Sequence, residues 1–220
     1  MITKKKRVGV LISGRGSNME SLIAAARASD YPAEIACVLS NRTDAAGLAK
    51  AQAAGVPAHA IDHTAFANRA AFEDGLDAGL RSFGVELIAC AGFMRLFTPA
   101  FVARWQDRML NIHPSLLPAF PGLNTHERAL AAGVKITGCT VHVVRPDMDD
   151  GPIIAQGAVP ILDGDSADTL AARVLAVEHR LYPRALALFA SGGISISGEK
   201  VSGPQVLVNQ EKVLIWPPLD

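Results

Sequence analysis

The chain has 220 residues, half of them hydrophobic but only 5% aromatic, and its 21 basic and 21 acidic residues cancel at neutral pH. That length is ample for one domain with a sizeable core, and the balanced charge supplies no global field that would draw the chain to nucleic acid or to an anionic membrane. No stretch approaches the roughly 18 apolar residues of a membrane span, and Cys37, Cys90 and Cys139, odd in number and set in apolar runs, read as core residues of a cytoplasmic protein rather than as a disulfide or metal framework.

The basic cluster Lys4-Lys5-Lys6-Arg7 is a solvated lead-in to an apolar run over 7–13, too short for a signal-peptide core. This run reads as a strand that ends in Ser13-Gly14-Arg15-Gly16-Ser17-Asn18. A helical pattern follows, with Met19, Leu22, Ile23 and Ala26 on one face. Strands are expected over 34–39 and 56–61, an Ala-rich helix over 44–54 closed by Gly55, and a helix over 64–83. Residues 87–91 form a continuous apolar run typical of a strand covered on both faces. This alternation predicts a parallel sheet with right-handed crossovers. The second half changes character. A strand over 109–112 enters a proline-bounded loop, 114–121, followed by a helix over 125–132. Strands over 136–144 and 152–159 flank an Asp-rich loop and are expected to be antiparallel. A long helix over 166–190 opens on Ser166. Residues 191–220 suggest a terminal β-hairpin and a short tail. The fold class is α/β, and without repeats or linker-like segments the whole of 1–220 is read as one domain.

Three segments carry chemistry. A strand, a Gly-rich turn and a helix N-terminus form the general arrangement for binding an anion, because the first-turn amides are unpaired and the helix dipole is positive there. Gly14 and Gly16 allow close backbone approach, and Ser17 and Asn18 add donors. Met19 stands where a dinucleotide fingerprint needs its third Gly, and no G-K-[ST] follows, so neither a Rossmann fingerprint nor a Walker loop is present. Taken alone, the turn is equally a plain strand–helix connection. Next, Asn111 and His113 lie two apart at the end of a strand and therefore face the same way. With a carboxylate from Asp147, Asp149 or Asp150, which spacing alone does not separate, they suit attack on a carbonyl: a donor for the oxyanion, a proton shuttle, and a group to orient it. The bland alternative for His113 is a loop histidine that caps a backbone carbonyl. Third, Ala91 to Leu96 follows a strand C-terminus, where open α/β sheets place their ligands. The remaining histidines show no metal spacing; for His126 and His142, lining the pocket and a purely structural role both stay open.

The run Asn111-Ile112-His113-Pro114-Ser115-Leu116-Leu117-Pro118, the later Asp149-Asp150-Gly151-Pro152 and the Ser13–Asn18 turn together resemble the phosphoribosylglycinamide formyltransferases over roughly residues 7–190. The resemblance implies a three-layer formyltransferase fold, Rossmann-like, with a mostly parallel sheet and a mixed C-terminal part. A phosphate-binding half would span about 7–100 and a catalytic and folate-binding half about 101–190, with the hairpin and tail over 191–220. It implies transfer of a formyl group from 10-formyltetrahydrofolate to the amine of glycinamide ribonucleotide, without a metal, by a monomer or homodimer. Asn111, His113 and Asp149 would be catalytic; Gly16, Ser17 and Asn18 would hold the phosphate, and Glu178 would contact the ribonucleotide. Met94, Arg95 and Leu96, opposite the backbone of 145–149, would receive the pterin, with Asn111 also at the folate, and Arg69 would face its acidic tail. Asn124 stands where family members often have His, so no catalytic role is assigned there. Two folate-using rivals are disfavoured: a formyltetrahydrofolate hydrolase by the expectation of no regulatory domain before residue 7, and a tRNA formyltransferase by the short tail and zero net charge. A non-catalytic binding protein on the same fold would be expected to lose one of Asn111, His113 and Asp149.

Overall fold

The computed structural model describes residues 4–203. The apolar runs form β1 (Lys6–Ile12), β2 (Ala33–Ser40), β3 (Ala58–Ala60), β4 (Leu87–Cys90), β5 (Met109–His113), β6 (Ile136–Val143) and β7 (Ile153–Pro160). They join in one sheet of order β3-β2-β1-β4-β5-β6-β7. The first five strands are parallel, β6 runs antiparallel to β5, and β7 antiparallel to β6. This is the mostly parallel α/β sheet with a mixed C-terminal part that the sequence led us to expect.

Helices α1 (Ser17–Ala26), α2 (Ala46–Ala53) and α6 (Ala167–Ala190) cover one face, while α3 (Arg69–Ser82) and α4 (Pro99–Arg104) cover the other. Strand alternation divides the core accordingly. Val8, Val10 and Ile12 pack with Met19, Leu22, Tyr182 and Leu186, whereas Leu11, Ile88 and Cys90 meet Leu76, Leu80, Phe101 and Trp105. A third cluster joins Cys139 and Val159 to Leu170, Val174 and Ala129 of α5 (Thr125–Ala131). All three cysteines are free and buried. Among the described residues no helix is long and apolar enough to cross a membrane.

Two expectations need correction. The helix expected over 64–83 is two pieces. Asp62 caps a 3-10 turn, His63–Ala65, and Asn68 takes extended backbone so that its side chain accepts from Ala71 N at 2.9 Å and starts α3 at Arg69. Short helix α4 was not anticipated, although Thr98 as its N-cap and Pro99 in its first turn are ordinary start signals. Ser166 does cap α6, in a reciprocal pair with Thr169. In the C-terminal part, β8 (Ser195–Ser197) and β9 (Lys200–Ser202) form an antiparallel hairpin. The further apolar runs, 206–208 and 213–215, and the tail lie outside the described residues.

Candidate functional site

The chain leaves β1 toward β2 and β3, then returns to the other side of β1 with β4 and β5. The C-terminal ends of β1 and β4 therefore flank the crevice where an open α/β sheet takes its ligand. At the end of β1, Gly16 adopts φ 73° and leads into α1, whose N-terminus carries no side-chain cap. A Cβ at Gly16 would stand 3.0 Å from Gly47 Cα and 3.2 Å from Met19 Cε. Glycine is thus required both by the backbone conformation and by the approach of α2. Asn18 is buried; its Nδ2 donates to Glu178 Oε2 at 2.6 Å. Asn18 Oδ1 is buried without a hydrogen-bond partner among the described residues. Glu178 is 6% exposed, and burial raises its carboxyl above the usual range, offset in part by the Asn18 amide.

Ser13 ties this turn to the segment after β4. Its N–H donates to Gly92 O at 3.0 Å. Its hydroxyl accepts from Met94 N at 2.8 Å and donates to Asn41 Oδ1 at 2.5 Å. The tie leaves the side chains of Met94 and Leu96 uncovered, 63% and 56% exposed, with Arg95 half-buried between them. Arg69 lies exposed in the first turn of α3.

The third part of the site lies on β5 and β6. Met109, Asn111 and His113 point to the α3/α4 side of the sheet, and Leu110 and Ile112 to the α6 side. Past α4, loops 114–124 and 144–152 cover that face. Register places Asn111 opposite His142 and His113 opposite Thr140. Thr140 Oγ1 donates to Ser115 O at 2.7 Å and accepts from Leu117 N at 3.0 Å, which fixes the first loop. Asp149, at φ 56°, turns its carboxylate inward from the second loop. Its Oδ2 lies 3.3 Å from His113 Nδ1 and accepts from Gly122 N at 2.9 Å, while Oδ1 lies 3.7 Å from His142 Nε2. Asp147 and Asp150 are exposed, so the loop conformation separates three aspartates that spacing alone did not.

His113 fits both of its readings. Nδ1 faces the Asp149 carboxylate, and Nε2 lies 3.0 Å from Phe120 O. His142, left open by the sequence, is 2% exposed, and burial lowers its pKa against the opposing pull of the Val143 carbonyl and of Asp149. The neutral ring donates from Nδ1 to Val143 O at 3.1 Å, which leaves Nε2 to accept from Asn111 Nδ2 at 3.2 Å. His142 therefore orients the Asn111 amide. The cross-strand register that reveals this role comes from the folded sheet. His126 is half-buried with Nδ1 unpartnered among the described residues, and burial lowers its pKa.

Across the sheet, Leu11 pairs with Cys90, and Cys90 with Asn111. Two strand spacings, about 10 Å, thus separate the backbones of Leu11, near the end of β1, and Asn111.

The chain and its fold are similar to those of known proteins. A family model described as "Formyl transferase" matches residues 6–186. The phosphoribosylglycinamide formyltransferase of Haemophilus influenzae is 41% identical over 87% of this chain and 90% of its own length. The trifunctional purine biosynthetic protein adenosine-3 of Bos taurus is 50% identical over 88% of this chain. The chain spans only 19% of that larger protein. The crystal structure of the phosphoribosylglycinamide formyltransferase from Brucella melitensis superposes with a TM-score of 0.83 at 55% identity, covering 89% of this chain and 100% of that one.

Proposed function

This chain belongs to the formyl transferase family, among its phosphoribosylglycinamide formyltransferases, and we propose that it moves the formyl group of 10-formyltetrahydrofolate onto the amine of glycinamide ribonucleotide in purine biosynthesis. The observation that carries this reading is the pairing of His113 with Asp149, beside Asn111, at the same C-terminal end of the parallel strands as an uncapped helix N-terminus. The substrate supplies its own nucleophile, so the site needs neither an activated Ser nor an activated Cys. The amine nitrogen attacks the formyl carbon and the carbonyl electrons move to oxygen, where an Asn111 N–H receives the developing charge. Collapse of the tetrahedral intermediate expels N10 of the folate. The proton lost by the amine passes to N10 through His113 and Asp149, with water as relay.

Gly16, Ser17 and Asn18 hold the ribonucleotide phosphate, and Glu178, through its bond to Asn18, meets the same substrate. Met94, Arg95 and Leu96 receive the pterin, and Arg69 faces the acidic tail of the folate. The protein acts in the cytoplasm as a single-domain monomer or homodimer, without a metal. The deciding experiment follows release of tetrahydrofolate from 10-formyltetrahydrofolate with and without the ribonucleotide. Product should form at an appreciable rate only when the amine is present. Equal turnover in its absence would make the protein a hydrolase and sink the reading.

A further inference from the structure

We propose that Arg145 is a positioning residue that sets Asp149 from outside the site, by fastening the root of its loop to the C-terminal hairpin and to the turn before β5. The proposal rests on the formyltransferase reading only in taking Asp149 as part of the reaction machinery.

The loop over 144–152 is closed at its base: Val143 N donates to Pro152 O and Val144 N to Met109 O, each at 2.9 Å. A Cβ at Gly151 would stand 1.7 Å from Val143 O and 3.1 Å from Arg145 Cγ, so the stem of Arg145 lies directly over the returning strand of the loop. The Arg145 side chain is only 14% exposed. Its Nη1 pairs by charge with Asp107 Oδ1 at 2.8 Å without hydrogen-bond geometry, its Nε donates to Glu199 Oε1 at 3.3 Å, and its Nη2 donates to Gly198 O at 3.4 Å. Asp107 takes φ 55° in the turn that enters β5, and Gly198 and Glu199 form the turn between β8 and β9. One guanidinium therefore joins the loop of Asp149, the lead-in to the strand of Asn111 and His113, and a hairpin beyond the 6–186 span of the family match.

Polar struts matter here because packing does not supply the support. Between the loop and the hairpin lies a cavity of about 310 Å³ whose lining includes Asp149, Asp150, Gly151, Ile153 and Glu199. Displacing a catalytic group by about 1 Å can cost on the order of a hundredfold in rate. Asp149 is gripped inside by His113 and Gly122 and left slack behind, so the outer tie at Arg145 fixes the remaining freedom of the loop.

The test is a double-mutant cycle with Asp149. Arg145→Met keeps the stem over Gly151 and removes the charge. It should lower kcat by about tenfold to a hundredfold while the KM for glycinamide ribonucleotide stays within about twofold. In an Asp149→Asn background the same change should alter kcat by less than about twofold, because there is no carboxylate left to position. Arg145→Lys, which keeps the cation but not the fork, should recover part of the loss, and Glu199→Gln should show a smaller fall than Arg145→Met. An Arg145→Met effect that is undiminished in the Asp149→Asn background, or absent altogether, overturns the proposal. Near-normal kcat in Asp149→Asn alone would overturn the catalytic assignment of Asp149 and the proposal with it, an outcome distinct from an additive cycle.

Discussion

The two ends of the site are built from different materials. At the β1–α1 corner, where we propose the phosphate to bind, the construction is backbone: a left-handed glycine, an uncapped helix start and the close approach of α2. At the β5–β7 corner they are side chains, two imidazoles, a carboxamide and a carboxylate, held by register and by two loops. A backbone site is lost by adding atoms, as a Cβ at Gly16 would intrude on Gly47. A side-chain site is lost by exchanging atoms, since an isosteric change of charge leaves its shape but removes its chemistry.

The largest effect should come from exchange at the side-chain corner. Asp149→Asn is expected to lower kcat by about two to four orders of magnitude, as for loss of positioned acid–base help, with little change in either KM. Asp147→Asn, on an exposed neighbour, should stay within a few-fold. If Asp147→Asn proved the crippling change, steady-state kinetics would show the carboxylate to be misassigned. Next is His142. Its replacement by Leu removes the acceptor that orients Asn111 and should cost roughly one to two orders in kcat, less than the full loss of an oxyanion donor. An unchanged kcat would mean the Asn111 amide holds its pose unaided.

The backbone corner is broken by adding atoms. Gly16→Val meets both a positive φ and the Gly47 contact, and should raise the ribonucleotide KM about tenfold or more, far beyond any rise for the folate. Equal rises would point to a disturbed fold rather than a blocked phosphate site.

The smallest effect is on stability. Burial raises the Glu178 carboxyl, so the fold favours its protonated form. The associated stability is fully present below the ordinary carboxylate pKa of about 4.3 and is lost as pH rises through the higher folded value. Glu178→Gln mimics the protonated group. Above that window its Tm should exceed that of the parent, while the ribonucleotide binds more weakly. A variant Tm no higher than the parent at pH 8 would show that burial of Glu178 carries no such cost.

The same contrast explains what the sequence made legible. Apolar runs alternating with Ala-rich helical patterns were enough for the sheet and its two covering layers, because the central runs of β1, β2 and β4 are buried on both faces. Asn111 and His113 were readable from a two-residue spacing, since strand geometry fixes their common face. The choice of Asp149 over its neighbours was not, for it depends on a positive φ inside a loop. His142 required a cross-strand register, which only the folded sheet supplies, and Ser13 as a tie between two ligand segments required the adjacency of β1 and β4. The break before α3 turned on Asn68 accepting a local hydrogen bond in place of the helical ladder.

Met94 and Leu96 have a thermodynamic consequence. Both are large apolar side chains held in water at the mouth of the crevice, on backbone pinned by Ser13. A ring that settles on them releases ordered water without first having to fold the segment. Covering roughly 200 Å² of apolar surface there changes the heat capacity by about −0.1 kcal/mol/K. The binding enthalpy of a folate should therefore become steadily more exothermic on warming, and replacing both residues with Ser should flatten that slope.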